Sequence, residues 1–450
     1  MTSSKPRLLF LNRSYFPDAE ATGQLLTQLC EDLAFQFDVR VISGQPNLNP
    51  SQADYVRVGQ EVRGGVTIRR VWNSQFAKSS TIGRLANWFS YMLMATLAAI
   101  FGPRPDFVIV ETDPPFLCLV GAFLRRRFGC QLIVYLQDIH PDLGVALGRV
   151  RKGPITWLLR KCFLGVYRRA DQVVVLSNDM RQVLVESGVD RRRITKIPNW
   201  VDCSKVTSVK SDNRFRAELD LQDKFVVMHS GNLGFCQRLE NILDAAEQLL
   251  DRPEIAIVLV GDGASRKRLE ADAVRRGLKN VRFVDYQPAA RLSESLSAAD
   301  VHIVSVDPRV VGFLMPSKLY GVLASGTPVL AVAPASCELS EIVERESVGY
   351  VVGPDEPSAL AKRIADLAAF PYHLKEIGER ARSLAVDQFD RGISVDAFAT
   401  LLLDLFQQSV GSQAIVAPKP VSAGSGGQPP KPDKPSVPGT SDLPVEATRR

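Results

Sequence analysis

The sequence predicts an α/β protein of two consecutive Rossmann-like domains facing across a cleft, followed by a disordered tail. Three observations predict it. Short apolar runs rich in β-branched residues alternate with helix-length amphipathic segments. That rhythm stops around Ile197–Lys205 and restarts with a new strand at Lys224–His229. From Gly411 the composition turns to Pro, Gly, Ser and Lys with no large aliphatic run, which suits an extended solvated segment. The expected units are 1–205, 206–393, a closing helix over 394–410 and a tail over 411–450. PxxP-like stretches such as Pro429-Pro430-Lys431-Pro432 suit partner binding, but a solvated tail is the preferred reading.

In the first half, Leu8–Leu11, Val39–Ile42, Phe107–Val110, Leu132–Tyr135 and Gln172–Leu176 read as buried strands, being short and continuously apolar. Thr22–Phe37 and Ile155–Arg169 have helix length. Val206–Asp223 is polar, patternless and linker-like. The second half repeats the pattern with strands at Lys224–His229, Ile255–Val260, Val281–Phe283, Val301–Val304, Pro328–Val332 and Gly349–Val352. A last helix, Ser394–Gln408, is apolar on one face and suits packing on either domain. Leu85–Phe101 is free of charge. As a helix it would reach about 26 Å, short of a bilayer core of about 30 Å. It also lies between strands of one sheet, so a buried core helix is the favoured reading. A helix at a membrane surface, with Trp88, Phe89 and Tyr91 at the interface and Arg84 and Arg104 flanking, is the second.

Of 450 residues, 45% are apolar and 23% charged, which excludes a wholly disordered or collagen-like chain. Net charge is uneven: residues 1–205 hold 27 Lys and Arg against 17 Asp and Glu, and the remainder 28 against 32. A basic first half suits an anionic partner such as a membrane surface or a phosphorylated lipid, and a solvated charged face explains the charge equally well; nothing points to nucleic acid. Seven cysteines are scattered without a CxxC pair or a Cys/His cluster, which argues against a disulfide framework and a zinc site. The first residues lack a secretory signal pattern, so a cytoplasmic location is expected, peripheral on the inner face of the membrane.

Several strand ends carry groups suited to phosphate or sugar chemistry. After the first strand, Asn12–Gln24 leads into a helix through Gly23 and Gln24, where free amides favour an anion; a connecting loop explains it equally well. After Lys224–His229 comes Ser230-Gly231-Asn232-Leu233-Gly234, whose glycines and small polar residues suit a diphosphate cradle with Arg238 in reach; a glycine-containing turn with Arg238 solvated is the other reading. Val258–Gly263 ends another strand in a glycine turn carrying Gly261 and Asp262. Pro316-Ser317-Lys318, with Leu319 behind, opens a helix whose start, hydroxyl and ammonium together suit a diphosphate, though for the tripeptide alone a surface Ser-Lys pair is the better reading. In the first half, Asp138, His140 and Asp142 crowd a strand end, where they suit a base or the orientation of a hydroxyl.

The order of these features resembles glycosyltransferase family 4, with its GT-B fold, over roughly residues 5–408. The stretches that carry the resemblance are the N-terminal glycine loop, IPNWVD (Ile197–Asp202), HSGNLG, VGDG and PSKLYGVLASGTPVLA (Pro316–Ala331). QD followed by PD and LG, with SGN and PSK, resembles the colanic-acid-type and N-acetylfucosaminyl-type enzymes of bacterial surface polysaccharide synthesis. The resemblance implies retaining transfer from a nucleotide-diphosphate sugar without an obligatory metal or cofactor. It places the donor on the second domain at Ser230, Gly231, Asn232, Arg238, Gly261, Asp262, Pro316, Ser317, Lys318 and Leu319. It places a lipid-linked saccharide acceptor on the first domain with Asp138 and His140 as catalytic candidates. The sequence departs from the family at three places. Gln137-Asp138 stands where many members have His-Asp. Phe313 and Gly321 stand at the positions of a usual Glu-x7-Glu pair. Cys236 and Arg238 stand near a usual lysine. Those departures keep two other readings open: a non-catalytic sugar-nucleotide-binding assembly subunit, and a nucleotide-sugar epimerase.

Overall fold

The computed structural model describes residues 5–18, 21–46, 57–77 and 80–415. Eight strands form the first sheet: β1 Arg7–Leu11, β2 Asp38–Ser43, β3 Gly59–Arg63, β4 Val66–Arg70, β5 Phe107–Val110, β6 Gln131–Leu136, β7 Gln172–Val175 and β8 Ile194–Lys196. Their order is β3-β4-β2-β1-β5-β6-β7-β8, parallel except for β3 against β4. The second sheet holds β9 Phe225–Ser230, β10 Ile255–Val260, β11 Val281–Val284, β12 Val301–Ser305, β13 Val329–Val332 and β14 Gly349–Val352, all parallel in the order β11-β10-β9-β12-β13-β14. Every residue of β5 and β10 is buried, which is why these strands read as unbroken apolar runs. Each sheet reverses its winding beside its first strand, at β1/β5 and at β9/β12. Those are the points where a ligand crevice opens beyond the strand ends.

The first-domain helices are α1 Ala21–Leu33, α2 Thr81–Ile100, α3 Leu117–Phe128, α4 Asp142–Ala146, α5 Pro154–Tyr167 and α6 Asn178–Glu186. A short α7, Arg214–Glu218, lies inside the segment read as a linker; its cap is the Asn213 side chain, which accepts from the Arg216 amide. The second domain carries α8 Glu240–Glu247, α9 Arg266–Arg276, α10 Leu292–Ser297, α11 Lys318–Ala324, α12 Glu338–Arg345, α13 Pro357–Ala369 and α14 Leu374–Gln388, and α15 Arg391–Ile415 closes the fold. The β3–β4 hairpin was not legible as strands because β3 is short and largely exposed. Its turn is Gly64-Gly65, both at positive φ (54° and 79°), as a two-residue hairpin requires.

The chain crosses between the domains twice, and the crossings are zipped together. The Val201 amide donates to the Phe389 carbonyl and the Arg391 amide to the Val201 carbonyl, each at 3.0 Å. Arg391 then pairs with Asp32 of α1 at 2.7 Å, and the fully buried Phe398 sets its ring edge on Tyr135 of β6, centroids 5.4 Å apart. The start of α15 thus packs on the first domain. Contacts divide the chain into Met1–Leu403 and Asp404–Arg450; in the second unit, Ser409 Oγ donates to the Phe406 carbonyl at 2.7 Å. The helix runs on to Ile415, into the segment expected as tail, since Pro418 is the first proline beyond it. The rest of the expected tail, 416–450, lies outside the described residues.

The core-helix expectation for Leu85–Phe101 is overturned. Within α2 only Gly83, Tyr91, Ala95 and Ala99 are buried. Tyr91, expected at an interface, is fully buried and donates its hydroxyl to the Ile42 carbonyl at 2.8 Å. A chargeless stretch was thus misread as core, because only one narrow stripe of it meets the sheet. Among the described residues no helix is long and apolar enough to cross a membrane.

Phe398→Ala should remove the plug that fastens α15 to β6. The expected cost is about 3–5 kcal/mol in urea unfolding followed by circular dichroism. A loss below about 1 kcal/mol would show that the return helix does not brace the first domain.

Candidate functional site

On the second domain the site begins with two loops that interlock. The loop after β9 and the loop after β10 exchange backbone hydrogen bonds: Gly231 N to Val260 O at 2.9 Å, Leu233 N to Asp262 O at 2.8 Å and Ser265 N to Leu233 O at 2.9 Å. A Cβ on Gly261 would lie 2.0 Å from the Gly231 carbonyl oxygen, and one on Gly263 would lie 2.4 Å from Asn232 Oδ1. Both glycines also sit at positive φ, so no other residue allows this approach. The contact leaves Ser230 half-buried and Asn232 exposed at the rim. Asp262 is exposed, and its carboxylate accepts from the Gly263 amide at 2.7 Å.

Lys318 comes into this loop from the start of α11. Its stem runs past Gly231, where a Cβ would meet Lys318 Cε at 3.3 Å, and its Nζ lies 3.1 Å from Nε2 of the buried His229. Burial lowers the Lys318 amine to about 7, with the neighbouring Cys236 pulling the other way. Ser317 is exposed beside it and Pro316 is buried beneath. Two expected donor contacts are corrected. The Leu319 side chain is fully buried in the core and its amide already donates to the Pro316 carbonyl at 3.2 Å, so it is scaffold. Arg238, held in a left-handed conformation at φ 44°, points to Asp355 and pairs with it at 2.5 Å instead of covering the glycine loop.

The first domain reaches this loop region through the end of β6. Asp138 forms a bridge with Leu314, and the Ile139 amide donates to the Phe313 carbonyl at 2.8 Å. The Arg149 guanidinium lies 4.1 Å from the centroid of the Phe235 ring. Burial pushes the Asp138 carboxyl above the usual range; His140 opposes the rise and Asp113 adds to it. Burial likewise holds His140 below the ordinary imidazole value against the pull of Asp138, Asp113 and Asp142. Asp138 and His140 are therefore together, as expected. Asp142 is not a free site carboxylate: it opens α4 and pairs with Arg160 at 2.7 Å. Gly23 is buried in the first turn of α1, where a Cβ would lie 2.6 Å from Ser14 Oγ. Its role is close packing of the helix, while Gln24 is exposed.

Other groups at the same strand ends went unread in the sequence. Arg13 after β1 pairs with Asp113 after β5 at 2.9 Å. Glu111 is buried next to them, and burial raises its carboxyl to about 8. A hydrogen-bond chain leads from it to the crossing: Gln137 Nε2 donates to Glu111 at 3.4 Å, Asn199 Nδ2 to Gln137 Oε1 at 3.0 Å and Tyr135 OH to Asn199 Oδ1 at 3.3 Å. The available signal was the run Glu111-Thr112-Asp113 directly after a buried strand. A second junction between the domains is made by Glu338 at the start of α12, buried and paired with Lys196 at 2.8 Å, and accepting from the Asn178 amide. It lines a cavity of about 200 Å³ together with Leu176, Met315, Tyr320 and Phe389. Among the described residues no group of three or more His, Cys, Asp or Glu is placed to hold a metal ion.

Comparison with known proteins matches this layout. Residues 21–200 match the family described as "Glycosyl transferase 4-like domain", and residues 211–384 match "Glycosyl transferases group 1". The chain is 30% identical over 327 residues to WbjE of Pseudomonas aeruginosa, named a probable glycosyltransferase, covering 72% of this chain and 81% of that protein. It is 28% identical over 391 residues to the protein named "Putative colanic acid biosynthesis glycosyl transferase WcaI" of Escherichia coli (strain K12), covering 83% and 96%. Among solved structures, Anabaena HepE in complex with UDP and glucose superposes with a TM-score of 0.68 at 19% identity, covering 88% of this chain and 99% of that one. Sucrose-phosphate synthase from Thermosynechococcus elongatus gives a TM-score of 0.72 at 21% identity, covering 89% and 100%. Both likenesses establish the shared GT-B fold.

An amine that titrates near neutrality is a sensitive reporter of an anion placed beside it. A diphosphate over the Ser230–Asn232 loop favours the ammonium form of Lys318, so binding takes up a proton above its free-state pKa. Nucleoside-diphosphate affinity, measured by calorimetry, should fall between about pH 7 and about pH 9 by up to about tenfold per unit, and Lys318→Met should flatten that slope. An unchanged slope in the variant would assign the titration to another group.

Proposed function

Since the chain belongs to the group 1 glycosyltransferases, with a 4-like first domain, we propose that it moves a sugar from a nucleotide-diphosphate donor onto a polyprenyl-diphosphate-linked saccharide, with retention and without an obligatory metal, in surface polysaccharide synthesis. The observation that carries the donor half is Lys318 lying over the interlocked glycine loops at the carboxyl ends of β9 and β10. As the bond from the sugar to the diphosphate breaks, its electron pair leaves with the diphosphate. The growing charge meets the Lys318 ammonium and the neutral donors of the Ser230–Asn232 loop. Asp138, on the facing strand end, orients the acceptor hydroxyl with His140 beside it.

A lipid-borne acceptor is supported by the outer face of the first domain. Ile82, Leu93 and Leu97 are 80%, 61% and 39% exposed, spaced so that α2 presents them on one face. On α5, Trp157 is exposed with Lys161 Nζ 5.0 Å from its ring centroid, and Arg126 and Arg127 are exposed at the end of α3. Apolar side chains with cations beside them suit the headgroup boundary of an anionic bilayer. The name borne by WcaI supports a role in polysaccharide assembly.

Purified protein should bind one of UDP, GDP, ADP or dTDP selectively in EDTA, and then transfer sugar from the matching donor. Asp138→Asn should lower kcat by about 10²-fold or more with nucleotide affinity unchanged. Selective binding without turnover on any acceptor would favour the assembly-subunit reading; a new nucleotide sugar formed without acceptor would favour an epimerase. In a second measurement, flotation with vesicles containing phosphatidylglycerol should recover the protein, and Ile82→Gln with Leu93→Gln should weaken recovery by about tenfold. Equal flotation of wild type and variant would remove this face from the reading.

A further inference from the structure

His229 is one of four histidines and the penultimate residue of β9, fully buried directly before the Ser230–Asn232 loop. His302 on β12 is equally buried, and its Nε2 lies 2.8 Å from the Leu296 carbonyl. The His229 ring is divided differently. Its Nδ1 lies 3.3 Å from the Ile303 carbonyl oxygen, which only accepts, and the Asn232 backbone also acts on the ring. In the tautomer with the hydrogen on Nδ1, Nε2 is an acceptor, and it lies 3.1 Å from Lys318 Nζ. Burial, and next the charge of Lys318, hold the imidazole in that neutral form. The lysine stem between them is confined on one side by Gly231.

We propose that His229 is a positioning residue of the donor site: its Nε2 accepts a hydrogen bond from Lys318 and holds that amine over the Ser230–Asn232 loop, ready for the diphosphate of the nucleotide sugar. A lysine has a long flexible stem, and fixing it before the ligand arrives removes an ordering cost from binding. A buried acceptor at the back of the loop does this without adding a charge that would compete with phosphate. An apolar residue at position 229 would fill the space and leave the amine free to turn away. The inference rests on the donor-site reading above, and the test separates the two.

UDP, GDP, ADP and dTDP, each with its monophosphate, are titrated calorimetrically onto the full-length protein. If the wild type binds none of them, the donor-site reading fails whatever His229 does. Given a diphosphate that binds, His229→Gln places an amide oxygen near the Nε2 position. His229→Asn reaches only the Nδ1 position and strands Lys318. The expected result is that His229→Asn reduces the preference for diphosphate over monophosphate by about tenfold, that His229→Gln keeps most of it, and that His229→Asn has no further effect in a Lys318→Met background. The proposal is overturned if both variants retain the wild-type preference. It is overturned equally if both weaken di- and monophosphate alike with a lowered Tm, or if the His229 and Lys318 effects add independently.

Discussion

The close approach of two backbone loops, at Gly231 and at Gly261 with Gly263, is the constraint on which the donor side of this protein depends. A single methyl group at Gly261 would overlap a carbonyl oxygen, so the loops after β9 and β10 meet only because side chains are absent there. The backbone bonds between them hold the rim of the crevice still without help from a ligand. The interlocked loops give the Lys318 stem a fixed surface to lie against. Pre-set geometry of this kind is what electrostatic stabilisation of a leaving group requires.

The two domains are tied at places that differ in chemistry. The Asp138–Leu314 bridge and the Ile139–Phe313 bond join them at the site itself through backbone. The Lys196–Glu338 pair joins them behind it through buried charge. The zipped crossings at Val201, Phe389 and Arg391 then carry the chain back so that α15 begins on the domain where the chain started. The Tyr135–Asn199–Gln137–Glu111 chain runs from the crossing segment to the first-domain crevice, so hinge and site share one polar network. Breaking any member leaves a buried polar group without its partner, which is costly.

Much of this was legible in the sequence, for identifiable reasons. The central strands announce themselves because both faces of each sheet are covered, and the glycine loops because phosphate-type turns need glycine at strand ends. The edges of the first sheet were not legible: β3 is exposed and β8 has three residues, so neither carries a hydrophobic signal. The reading of α2 as core failed because apolar composition does not reveal how wide a stripe is buried. In the structure Asp138 and His140 lie at the end of β6, and Lys318 lies against Gly231 and His229. Arg238, Asp142 and Leu319 each have a partner or a packing role that depends on residues distant in sequence: Asp355, Arg160 and the core. His229 escaped notice for the same reason, because its meaning comes from Lys318, which is far along the chain.

The most direct test of the account is a crystal structure of the full chain with its nucleoside diphosphate bound. The account predicts the terminal phosphate over the Ser230–Asn232 loop, within hydrogen-bond distance of Lys318 Nζ. A phosphate seated instead on the first domain beside Gly23, or bound without contact to Lys318, would contradict it.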